Sequence, residues 1–347
     1  MSTLPPLPPQ PAGVPWPTQA WPTGPLPPGV DQTRLARLVA DAFEGGDPGL
    51  GETRALVIIH GGRLVFERYG AGVGPHDTQP SWSMAKSITQ ALVGMVVGEG
   101  RMDIHAPLDV PEWRGADDPR AAITLDQLLR MSSGLRFVED YVPDHPSDVI
   151  DMLFGAGKAD VAAYAASKPL EHPPGTVWSY ASGTTNIIAR ALAEAAGVAG
   201  DASAYGRFMT DRLFGPLGMT SADPKFDDAG TFIGSSYCFC TPRDFARFGL
   251  LYLRDGVWED RRLLPPGWVD YARTATPTPP TEELGYGAHW WLGIAGEGSF
   301  SANGYDGQYT VVVPDLDLVV VRSGRTPLEL KLNPQRWIAE VVGCFRH

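Results

Sequence analysis

The segment Ser83-Met84-Ala85-Lys86-Ser87 opens an apolar stretch, Ile88-Thr89-Gln90-Ala91-Leu92-Val93-Gly94-Met95-Val96-Val97. That run reads as a buried helix, and on a helix residues three apart share a face, about one turn from each other. Ser83 and Lys86 are therefore expected to present a hydroxyl and an amine side by side. Free backbone N–H groups and the dipole at a helix N-terminus favour a developing negative charge. A serine nucleophile, a lysine for its proton and an amide for the oxyanion are the parts that acyl transfer needs. On an arbitrary helix the same spacing is usually a solvated polar pair. Here Lys86 is one of five lysines among 28 basic residues, and the only one with a serine three positions before it. It also lies among small and apolar residues, where an ammonium needs a partner.

The rest of the chain sets the frame for that pair. Its 347 residues suffice for a large core and two packed lobes. A hydrophobic content of 43% with 20% charged residues is that of an ordinary globular protein. A net charge of −12 with no offsetting Lys/Arg run argues against nucleic acid as a partner. No apolar stretch reaches membrane-spanning length and no basic segment precedes an apolar run at the N-terminus, so the expected location is cytoplasmic, without membrane attachment. Cys238, Cys240 and Cys344 fit buried thiols better than a disulfide framework or a zinc site, and no metal or cofactor is expected. The seven histidines are scattered and read as structural or exposed. Gly-x-Ser-x-Gly, His-Glu-x-x-His and Gly-x-x-x-x-Gly-Lys are all missing, which removes the usual α/β-hydrolase, zinc-peptidase and P-loop readings.

Residues 1–30 are rich in proline, and Trp16-Pro17 and Trp21-Pro22 suggest an arm lying on the surface rather than a free tail. Asp31 to Glu44 carries a helical apolar face. Two strands, Ala55–Ile59 and Arg63–Arg68, form a hairpin through His60-Gly61-Gly62. Helical pattern broken by Gly and Pro fills the chain from Ser83 to about Leu284. Strand character returns at Ala288–Ile294, Gln308–Val313 and Leu318–Arg322, and Asn333–Phe345 closes as a helix. The valine runs at 311–313 and 319–321 imply central strands covered on both faces. The expected architecture is thus one sheet completed by residues 31–82 and 285–347, with 83–284 inserted as a helical lobe. The Ser83 helix would begin at the lobe boundary, where clefts commonly form.

Two further segments bear on the chemistry. Pro174-Gly175 breaks the chain before Trp178-Ser179-Tyr180-Ala181-Ser182 and a helix over Asn186–Ala196, leaving Tyr180 in a loop. A lone loop tyrosine is more often a packing residue. Beside an ammonium it could serve as a base, since its ordinary pKa of about 10 needs electrostatic help. Asn303-Gly304-Tyr305-Asp306-Gly307-Gln308 leads into a strand, and its glycines would let backbone approach a ligand and offer a second oxyanion N–H. A plain tight turn is the alternative.

Ser83-x-x-Lys86, then Tyr180-x-Ser182, then a glycine-flanked strand resembles the serine β-lactamase and penicillin-binding-protein superfamily. The similarity extends over nearly the whole chain and includes Leu128-Leu129-Arg130-Met131-Ser132-Ser133-Gly134-Leu135. More closely the chain resembles the class C β-lactamase-related group, which includes family VIII carboxylesterases and 6-aminohexanoate-dimer hydrolases. The resemblance implies an α/β fold of the α+β type, with a mostly antiparallel sheet and flanking helices. It implies Ser83 as acylated nucleophile, Lys86 and Tyr180 as proton-transfer partners, and the N–H groups of Ser83 and Gln308 as the oxyanion hole. Tyr141 resembles a tyrosine that the aminohexanoate hydrolases place over the substrate amide. Trp82, Tyr141, Trp178 and Tyr305 are expected to line an aromatic cleft, with Ser182, Asp306 and Gly307 also near the substrate.

Two departures narrow the reading. Tyr-x-Asn of many relatives is Tyr180-Ala181-Ser182 here, and Lys-Thr/Ser-Gly is replaced by Tyr305-Asp306-Gly307. The cation expected to hold a β-lactam carboxylate is missing, and Asp306 would repel it. The leading expectation is a serine hydrolase acting on a small ester or amide. Alternatives are β-lactamase or D,D-peptidase activity, and a catalytically silent binding protein on the same fold. Oligomeric state is not legible.

Overall fold

A computed structural model describes residues 4–142, 145–281 and 283–346. Its centre is a seven-stranded antiparallel sheet built from both ends of the chain. The first hairpin is β1 (Glu52–His60) and β2 (Arg63–Tyr69), turned at Gly61 and Gly62, which both adopt positive φ. The C-terminal part supplies β3 (Gly285–Tyr286), β4 (Trp291–Leu292), β5 (Phe300–Gly304), β6 (Gln308–Val313) and β7 (Leu318–Arg325). They are ordered β2-β1-β7-β6-β5-β4-β3, so the first hairpin docks on the last strand.

Period-two alternation divides the central strands between two cores. Leu56, Ile58, Val311, Val313 and Val320 face α1 (Gln32–Phe43) and the closing helix, α5 (Asn333–Gly343). Val57, Ile59, Val312, Val319 and Val321 face the larger core, which contains α2 (Ala85–Gly98), α3 (Ser182–Ala196) and α4 (Pro242–Leu253). Helix α4 comes close to the sheet because Gly249 faces it. A Cβ there would stand 2.7 Å from Val319 and 2.8 Å from Thr310. The 83–284 segment therefore contributes a sheet-covering helix as well as the helices beyond the cleft.

The hairpin, the two valine strands and both terminal helices lie where the sequence pattern puts them, within a few residues. Three local expectations need correction. The stretch 288–294 is strand only at Trp291–Leu292, because His289 and Gly293 take positive φ and turn the chain on either side. Strand β5 was not anticipated, since Phe300-Ser-Ala-Asn-Gly lacks β-branched residues. Helix α3 begins at Ser182 rather than Asn186, so Tyr180 lies two residues before a helix.

The described part of the N-terminal arm is packed. Trp16 meets Trp258 at 5.0 Å between ring centroids, Arg247 donates to the Pro17 carbonyl at 2.8 Å, and Arg273 to that of Pro5 at 2.7 Å. All three cysteines are buried and unpaired by disulfides. Among the described residues no helix is long and apolar enough to cross a membrane, and no cluster of metal-ligating side chains occurs.

Candidate active site

Trp82, Ser83 and Met84 form one 3₁₀ turn, and α2 follows directly from Ala85. Trp82 adopts a φ of 43°, in the left-handed region that a bulky side chain rarely enters. Strain of this kind is worth about 1–3 kcal/mol and persists only where the surroundings over-determine it. Here the indole is wedged beside Tyr237 and Tyr305, at centroid distances of 5.6 and 5.8 Å. Ser81 ties the turn from the other side: its hydroxyl donates to the Ser236 carbonyl and accepts from the Cys238 N–H at 2.9 Å.

The sheet edge presses on the same turn. A Cβ on Gly304 would stand 2.3 Å from the Ser81 carbonyl oxygen and 3.0 Å from Cβ of Gln308. Gly304→Ala is thus expected to push the Ser83 turn off the end of β5, with overpacking of about 1–3 kcal/mol. A melting temperature lowered by several degrees, with ester hydrolysis falling disproportionately, would be read from a thermal scan and a rate assay on one preparation.

Lys86 is 2% exposed, and its ammonium nitrogen has three partners. Nζ lies 2.9 Å from Ser83 Oγ, 3.0 Å from Ser182 Oγ and 2.9 Å from the Ser235 carbonyl oxygen, and 4.8 Å from the centre of the Tyr180 ring. Burial draws its pKa down to about 8, against the opposing pull of the Glu139 carboxylate. Burial pushes the Tyr180 phenol far above its ordinary range and the Glu139 charge adds to this, while a hydrogen bond with Ser83 works the other way. The neighbouring His289 is held neutral, its pKa lowered to about 3 chiefly by burial. Its ring bridges the Leu129 carbonyl and the Thr185 hydroxyl, a structural role.

Glu139 was not singled out by sequence reasoning. One carboxylate oxygen accepts from the Ser182 hydroxyl at 2.6 Å and from Tyr141 at 2.7 Å, and the other from the Ser182 N–H at 2.7 Å. It thereby caps α3, whose own N-cap residue is an alanine. The Ser235 carbonyl was equally invisible, because any residue could supply it. Its position is fixed by Asn186, whose side chain accepts from the Ser235 N–H at 3.1 Å.

A cavity of about 480 Å³ opens over Ser83 and is walled by Tyr141, Trp178, Tyr180, Tyr305 and Asp306. Gly307 also borders it, and the Tyr141 and Tyr305 rings meet across it at 5.0 Å. Trp82 and Ser182 do not line it: the indole props the Ser83 turn, and the Ser182 hydroxyl faces inward to Lys86 and Glu139. Asp306 forms no ion pair among the described residues, and burial raises its pKa although Arg325 opposes this. Gln308 starts β6 with its side chain clamped on the Gly324 backbone. The fully buried Arg322 donates to the Gly307 carbonyl at 2.7 Å. In a planar trans peptide, that aims the Gln308 N–H away from Arg322.

The family model described as Beta-lactamase matches residues 37–339. The chain belongs to the beta-lactamase family. It has the beta-lactamase fold, and it is a serine hydrolase of that family. A 6-aminohexanoate-dimer hydrolase of Paenarthrobacter ureafaciens is 29% identical over 296 residues, covering 79% of this chain and 73% of that protein. Among solved structures, a Bacillus anthracis protein provisionally assigned as a 6-aminohexanoate-dimer hydrolase aligns with a TM-score of 0.74 at 21% identity, over 94% of this chain and 89% of its own. A family VIII carboxylesterase aligns with a TM-score of 0.71 at 14% identity, over 93% and 99%. These likenesses extend the beta-lactamase fold over both the sheet and the helices around the cleft.

Proposed function

We propose that this beta-lactamase-family hydrolase cleaves a small ester or amide without a carboxylate next to the scissile bond, through an acyl-enzyme on Ser83. The observation that carries the reading is the contact of the Ser83 hydroxyl with a buried Lys86 amine at 2.9 Å. With its pKa near 8, a useful fraction of Lys86 is neutral at physiological pH, whereas Tyr180 stays a phenol. Lys86 is accordingly the first proton acceptor. Ser83 Oγ attacks the carbonyl carbon as its proton passes to Nζ. The oxyanion is met by the N–H groups of Ser83 and Gln308. As the tetrahedral adduct collapses, Tyr180 protonates the departing oxygen or nitrogen and recovers a proton from Lys86. Water then repeats the sequence in reverse and frees the acid.

Asp306 supports the substrate class. Its unpaired carboxylate in the cavity wall disfavours an anionic ligand there, and the aromatic walls suit uncharged acyl groups. The relatives named as a dimer hydrolase and a carboxylesterase fit an amide or ester better than a β-lactam. A fluorophosphonate should add one equivalent of mass to the intact protein, with the adduct on the peptide containing Ser83 after digestion. Unchanged mass under conditions that label a control serine hydrolase would favour a silent binding protein instead.

A further inference from the structure

The three contacts of Lys86 cannot all be donated by a neutral amine, which has two N–H bonds and one lone pair. The Ser235 carbonyl only accepts, so it takes one N–H. Ser182 Oγ has its single proton committed to Glu139 Oε1 at 2.6 Å, so toward Lys86 it too accepts. Both N–H bonds are then used, and the lone pair is left for Ser83. Were the Ser182 proton not held by Glu139, it could turn to Lys86 and occupy that lone pair.

We infer that Glu139 is a positioning residue that acts through Ser182 to aim the Lys86 lone pair at the Ser83 hydroxyl and to stabilise the ammonium formed after proton transfer. This rests on the Ser83 acyl-enzyme reading. The carboxylate is well built for the task. It is fixed from three directions by the Ser182 N–H, the Ser182 hydroxyl and the Tyr141 hydroxyl, so it does not swing away. Other groups near Lys86 contribute little charge. Tyr180, Tyr141 and Tyr286 are neutral phenols whose ionisation burial opposes, and His289 is neutral. Asp306 also borders the cavity, on the turn between β5 and β6, and is not among the charges acting on Lys86. Glu139 is the acid whose charge is felt at Lys86.

The experiment is the pH dependence of acylation, followed as fluorophosphonate labelling of wild type, Glu139→Gln, Glu139→Asp and Ser182→Ala, with melting curves alongside. Removing a negative charge disfavours the ammonium, so the rising limb of Glu139→Gln should move to lower pH by roughly 1 unit. Glu139→Asp keeps the charge and should keep the limb near its wild-type position. Ser182→Ala should leave the limb in place and lower its plateau about 10-fold or more, since Nζ loses the acceptor that orients it. A folded Glu139→Gln with an unmoved limb overturns the proposal, as does Ser182→Ala labelling at the wild-type plateau. A merely structural Glu139 would lower melting and rate together without moving the limb. Should Glu139→Gln fail to fold, the Ser182→Ala plateau decides alone. Absence of labelling on wild-type Ser83 would instead strike the parent reading, and that arm is read first.

Discussion

Ser83→Ala is expected to lower p-nitrophenyl butyrate hydrolysis by roughly 10⁴-fold or more, with a melting temperature close to that of the parent. The size follows from the proposed role of Ser83 as a nucleophile that works as a unit with its base, where single deletions abolish most of the catalysis. What remains would come from the oxyanion donors and substrate binding alone. The structural cost should be small. The Ser83 side chain has Lys86 and Tyr180 as polar neighbours, and the turn that carries it is held by Ser81, Trp82 and the Gly304 contact. Steady-state rates and a thermal scan on the same sample check both halves of the expectation. Hydrolysis at the parent rate would mean that another group attacks.

Lys86→Met is the second large effect, expected at roughly 10²- to 10⁴-fold in acylation rate. Methionine keeps an unbranched chain in the buried channel but has no lone pair suited to the serine proton. The pH profile supplies the signature. Burial disfavours the ammonium, so the pKa of Lys86 lies at about 8 rather than its ordinary value. The neutral amine is the competent form. Wild-type acylation should therefore climb nearly tenfold per pH unit below about 8 and level off above it. In Lys86→Met that limb should vanish, leaving a low and nearly pH-independent rate. A limb that survives in the variant would assign it to another group.

How much of this was legible beforehand depends on where each piece is written. The hairpin, the valine strands and the terminal helices are local patterns, so periodicity suffices to find them. Ser83, Lys86 and Tyr180 announce themselves because their chemistry is rare in that order. Asp306 is informative as a departure from the pattern that the family resemblance implies. Glu139 was overlooked because two adjacent carboxylates, Glu139 and Asp140, look like solvent-facing charge, and only the fold brings the first to the start of α3. The Ser235 carbonyl carries no side-chain signal at all. The positive φ of Trp82 was equally hidden, since tertiary packing overrides the local preference of its backbone. Ser182 was read as a substrate contact from its position in the motif, whereas its hydroxyl joins Lys86 to Glu139.

Lys86 donates to a carbonyl 149 residues further along, and another of its acceptors, Ser182, lies 96 residues away. Until those distant stretches close around it, its side chain is an ordinary solvated ammonium, protonated at neutral pH and without a lone pair for the serine proton. A chain in which those stretches have not yet packed thus carries the Ser-x-x-Lys motif in a harmless form. Reactivity on the proposed reading arrives with the closures that bring Ser182 and Ser235 to Lys86, so folding itself arms the site.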